Sequence, residues 1–228
     1  MDQGKGSCAA IVPFPAARRG LVAEDLRFRA LLGHDAWNRL PPAVQARFGK
    51  RVPPGCTVTY VGEIVECHMS RTGWLLVQLL RLIGAPLPLS RSVWVPATVA
   101  VTEDCGGGGQ FWTRIYARPR GFPQVIQSSK RFAGPTGIEE YLGYGIGIAL
   151  RLEADERSVR FLSDHLFLAL LGRRLRLPRW LSPGLLTVSH IDCGHGDFAF
   201  VPQLDHPRLG ALVSQTALFR ERSDGEGQ

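Results

Sequence analysis

The chain has 228 residues, 45 % hydrophobic and 21 % charged, a mix that supports one generous domain with a core and excludes a low-complexity chain. A formal charge of +7 raises nucleic acid as a partner, but the cations are almost all arginines scattered along the chain, with lysine only at Lys5, Lys50 and Lys130. No basic face interleaved with aromatics accompanies them, so no nucleic acid is expected.

Five widely spaced cysteines, the first at Cys8, include no CxxC pair and read as free thiols. Residues 1–20 have only a short apolar patch broken by Pro13 and Pro15, unlike a signal peptide, and read as a flexible leader. No stretch is apolar over the roughly 20 residues that span a bilayer. A soluble, cytoplasmic protein is the expectation.

Residues 21–220 read as a single β-rich domain, with 221–228 a disordered tail. Its first part, 21–50, carries two short helices, the second opened by Pro41–Pro42. From 56 to 220 the style is that of a curled sheet or barrel. "CTVTYVGEIVECHMS" is a β-branched strand. A helix over 72–84 follows, with Ser70 or Thr72 as N-cap and Gly84 before Pro86 as the stop. It is apolar nearly all round, so it is either buried or a lid.

Further strands are expected at Ser92–Thr102, Gln110–Ala117, Gln124–Phe132, Ile138–Leu142, Gly145–Glu153, Ser158–Ser163, Leu185–Asp192, Asp197–Gln203 and Ala211–Phe219. Short, turn-like connections separate most of them, which means antiparallel pairing. About ten strands should curl into a bent sheet or a β-barrel, and a barrel of that size has room for a ligand.

Three runs carry a resemblance: "FWTRIYARPRGFPQVIQSSKRFAGPTGIEEYLGYGIGIAL", "LGRRLRLPRWLSPGLLTVSH" and "HPRLGALVSQTALF". Their W-T-R, L-P-x-W-L-x-P and H-P-x-L-G elements resemble the bacterial domain-of-unknown-function family 4166, over about Leu26 to Phe219. The resemblance implies a stand-alone member of a family whose relatives also occur fused to a saccharopine-dehydrogenase-like reductase domain. A separate reductase is therefore a candidate partner. The chain itself has no glycine-rich dinucleotide fingerprint, and no cofactor is expected.

Strand parity organises the candidate site. Trp112, Arg114 and Tyr116 share one face. If that face is inside, the arginine between aromatics would anchor a carboxylate or phosphate; if outside, its stem packs on the barrel. Ser128 and Lys130 share a face of the next strand, where Lys130 is either a desolvated base or an exposed lysine that discourages edge pairing. Glu139 and Glu140 lie on opposite faces, so at most one meets a cavity.

His190, beside Leu186 and Val188, is either a core histidine or a cavity acid/base. The surrounding "SHIDCGHGDF" reads as a hairpin with a glycine-rich tip. Its spacing matches no zinc pattern, so no metal is expected. Finally, "GRRLRLPRWLSPG" sets Arg176, Arg179 and Trp180 among leucines. With Trp74 of the apolar helix, this mixture suits a membrane or partner edge, or else a solvated connection.

These features lead to three expectations. The first is a binding protein that holds an apolar or amphipathic small molecule, with Trp112, Arg114, Tyr116 and Ser128 around its polar end. The second is a cofactor-free isomerase, cyclase or hydrolase using Lys130 and His190. The third is a module whose edge meets an anionic membrane or a partner.

Overall fold

A computed structural model of the chain describes residues 23–84 and 86–220, so the expected leader and tail, with Lys5 and Cys8, fall outside the described residues. Between these limits the strands run β1 Thr57–Met69, β2 Val95–Asp104, β3 Gly109–Tyr116, β4 Gln124–Arg131, β5 Ile138–Gly143, β6 Ile146–Ala154, β7 Ser158–Leu170, β8 Arg173–Arg176, β9 Leu185–Gly194, β10 Asp197–His206 and β11 Gly210–Arg220. Neighbours pair antiparallel in the order β6-β5-β4-β3-β2-β1-β11-β10-β9-β7, and a β6–β7 pairing closes the ring into a ten-stranded barrel. β8 is an extra strand laid on the end of β7.

Closure removes the free edges that so many strands would otherwise expose. The inward positions are aliphatic and aromatic, such as Ile64, Ile126, Leu150, Phe161, Phe198 and Phe219. Outward positions on the same strands include Glu63, Arg151 and Glu153.

The barrel's lower end, where β1 begins, is closed by the N-terminal segment. The sequence suggested two helices there; the structure has three, α1 Leu26–Leu32, α2 His34–Arg39 and α3 Pro42–Phe48. Gly33, with φ of 79°, lets the chain turn sharply between the first two. Phe28, Trp37, Val44 and Phe48 pack against Ile138, Leu150 and Phe161 of the barrel. Arg27 and Arg51 both bond Glu103 at the end of β2 and tie this cap down.

The upper end, where β1 finishes, carries α4 Arg71–Leu79 and a 3-10 turn, Leu80–Ile83. Ser70 is the N-cap, accepting from the Gly73 amide at 3.0 Å, and Gly84 ends the turn in a left-handed conformation. Of the two placements the sequence allowed, α4 is the lid. Val77 is buried on the rim, whereas Trp74, Leu75 and Leu79 stand exposed.

Several strand ends shift by two or three residues, and two departures are larger. β7 continues seven residues past Ser163, through a bulge where Ala149 pairs with His165 but Leu150 with Ser163. The arginine-rich corner contains β8, four exposed residues whose pairing with β7 the sequence did not suggest.

Candidate functional site

On β3, Trp112 and Tyr116 are buried and Arg114 lies between them, while Phe111 faces outward. On β4, Gln124, Ile126, Ser128 and Lys130 are all buried. Register sets Trp112 opposite Ser128, and Lys130 opposite Glu140 of β5. The inward side chains of three neighbouring strands therefore converge.

Arg114 Nη2 donates to Ser128 Oγ at 2.7 Å and lies 3.3 Å from Glu140 Oε1. Ser128 donates to that same oxygen at 2.6 Å. Lys130 Nζ sits 2.9 Å from Glu140 Oε2 and 4.8 Å above the Trp112 ring centre.

Burial works against a charged Glu140, but the Lys130 ammonium, the Arg114 guanidinium and the Ser128 hydroxyl outweigh it and hold the carboxyl at about 2. Lys130 is pushed below its ordinary value, chiefly by burial, which Glu140 opposes and Arg114 reinforces. Two cations thus share one carboxylate, and the buried Nε of Arg114 has no hydrogen-bond partner. With Lys130 protonated, the cluster is one anion short of neutral.

Two cavities flank it. The upper one, about 630 Å³, reaches from Arg114 and Glu140 to the lid residues Leu76 and Leu80 and to Trp180. Apart from that charged floor its walls are largely aliphatic, with Ile126, Ile148, Leu166 and Leu204 among them. The lower one, about 470 Å³, is bounded by Trp112, His190, Phe198 and Phe200 and by Phe48 of the cap.

Lys130 lies against the rings of Trp112 and Phe161, while His190 lines the lower cavity. His190 is stacked on Phe198 with ring centres 4.8 Å apart, and its buried Nδ1 is unpartnered. Burial, helped by the nearby charge of Arg47, pushes this imidazole down to about 3, so it is neutral at ordinary pH. Trp74, Arg176, Arg179 and Trp180 are all exposed at the upper end.

The sequence reading passed over two groups. Glu140 was left as one of an undecided pair; its neighbour Glu139 turns the other way and bonds Arg174 Nε at 2.9 Å. Asp164 and His165 also line the upper cavity, with His165 Nδ1 2.6 Å from Asp164 Oδ2. A carboxylate that orients an imidazole is competent acid/base machinery. The signal was present in "FLSDHLFLAL", where the inward positions change phase across the bulge. Among the described residues, no three His, Cys, Asp or Glu side chains are grouped to hold a metal, and no helix is long and apolar enough to cross a membrane.

Fold and interior together define a class: a closed antiparallel barrel with a buried Arg–Lys–Glu cluster at the floor of an apolar, end-opening cavity. Within that class the chain belongs to the family described as Domain of unknown function (DUF4166), whose model matches residues 40–219, as the W-T-R, L-P-x-W-L-x-P and H-P-x-L-G elements implied. No curated protein and no solved structure matches the chain.

Proposed function

We propose that this protein binds an amphipathic small molecule in the upper cavity, with its hydrocarbon body along the aliphatic walls and a single anionic head on Arg114. The observation that carries this reading is the charge imbalance at the floor. Arg114 and Lys130 face one carboxylate, and Arg114 keeps an unused buried donor. A ligand carboxylate would neutralise the cluster and satisfy that donor, whereas a neutral hydroxyl head would accept from the donor but leave the charge unbalanced. The cavity's volume of about 630 Å³ suits a ligand of a few hundred daltons.

The test is calorimetric titration with decanoate and decanol, which share a chain and differ in the head group. Decanoate should bind more tightly to the native chain. Arg114→Gln should weaken it by about 2 kcal/mol, roughly thirtyfold, and weaken decanol far less. Equal decanoate affinity in the two proteins would remove Arg114 from the site, and absence of any decanoate binding would remove the reading.

A further inference from the structure

Six large apolar residues are at least 70 % exposed: Leu82, Trp94, Phe122, Tyr144, Leu171 and Trp180. All six sit on connections at the upper end, and Trp180 also lines the 630 Å³ cavity. Among the described residues the connections at the lower end carry nothing comparable; their most exposed large apolar side chain, Leu26, reaches 54 %.

Three of the six occupy a backbone conformation that large side chains avoid. Trp94, Tyr144 and Leu171 have φ of 56°, 52° and 49°. Glycine or asparagine would relieve the strain at such turns and would not expose an apolar side chain to water. Each position therefore carries two unfavourable terms, which a contact outside this chain would offset.

The charges are sorted in the same way. The segments that join strands at the upper end are 70–94, 117–123, 144–145, 171–184 and 207–209. They contain ten arginines and no aspartate or glutamate. Of these, Arg174 is held by Glu139, while Arg173, Arg176 and Arg179 are exposed and have no carboxylate partner among the described residues.

We infer that the upper end docks on an anionic lipid bilayer. The aromatic and leucine tips enter the interfacial layer, the arginines lie at the headgroups, and the cavity mouth opens onto the membrane. Separate apolar tips rising from connections whose only charged side chains are arginines fit a fluid surface better than the continuous flat patch of a protein interface. Tryptophan and tyrosine are the side chains that favour that depth. The inference rests on the ligand-binding reading for one point only: that what fills the cavity is drawn from the bilayer.

The experiment is co-sedimentation with vesicles of phosphatidylcholine, with and without 30 mol % phosphatidylglycerol, beside a decanoate titration in vesicle-free solution. The native chain should sediment with the anionic vesicles and be released by about 0.5 M salt, because surface charge attraction is screened. Arg173→Gln/Arg176→Gln/Arg179→Gln should bind them roughly a hundredfold more weakly, since each arginine near such a surface is worth about fivefold. Phe122→Ser/Leu171→Ser, at two tips that do not line the cavity, should lose at least tenfold.

Both variants should keep native decanoate affinity, which also certifies their fold. Arg114→Gln should show the reverse pattern, with native vesicle binding and weakened decanoate binding. Failure of the native chain to bind anionic vesicles would overturn the docking and leave the cavity reading standing. So would native-like vesicle binding by the Phe122/Leu171 variant, because a purely electrostatic contact needs no inserted tips.

Discussion

At the scale of single residues, the buried cluster predicts an unequal response to removal of its members. Glu140→Gln leaves Arg114 and Lys130 facing each other with no carboxylate between them. Lys130→Met leaves Arg114 paired with Glu140, and that pair is neutral. Glu140→Gln should therefore lower unfolding stability by about 3–5 kcal/mol, and Lys130→Met by only about 1–2, measured by urea denaturation near pH 7. Equal losses would mean that water or an ion already reaches the cluster. Parity correctly grouped Trp112 with Arg114 and Tyr116, and Ser128 with Lys130. It could not choose the inner face of β3, because Phe111 and Ile115 make the other face nearly as apolar. Glu140 was beyond reach for another reason: its partners lie across strand registers, and no local pattern shows that Lys130 will face it.

At the scale of elements, most strands were readable because turn chemistry brackets them: Gly194 and Gly196, at φ of 79° and 81°, make the β9–β10 reversal. β8 was not readable, since four exposed residues have no inward face to impose a period. The helix was legible from Ser70 to Gly84, but its orientation depends on one close approach. A methyl group at Gly73 would run into the Leu212 carbonyl of β11. Gly73→Ala should therefore lift α4 from the rim even though alanine favours helix by about 1 kcal/mol. We expect a net destabilisation of about 1–3 kcal/mol and faster amide exchange across residues 71–83. A more stable Gly73→Ala protein would show that the lid already rides off the strand.

At the scale of the whole molecule, the fold sorts what the sequence scatters. Arginines from four separate segments meet at one end, which is why their spacing along the chain argued against any charged face. The same burial that organises the interior makes the barrel acid-sensitive. His190 has an ordinary value of 6.5 and is held at about 3 when folded, so between those values the unfolded chain takes up a proton that the folded chain refuses. Stability thus rises with pH across that window and is lost as pH falls through it. Glu140, held at about 2 against an ordinary 4.5, adds a second loss with the same sign at lower pH. Between pH 7 and 5 only the histidine contribution of this pair operates, and it amounts to about 2 kcal/mol. His190→Phe keeps an aromatic ring on Phe198 and removes the unpartnered nitrogen. Urea midpoints for this variant should stay flatter between pH 7 and 5 and fall only as the carboxylates titrate. If the native and substituted proteins lose stability in parallel over that interval, His190 is taking up its proton inside the folded barrel, and the lower cavity must admit water to it.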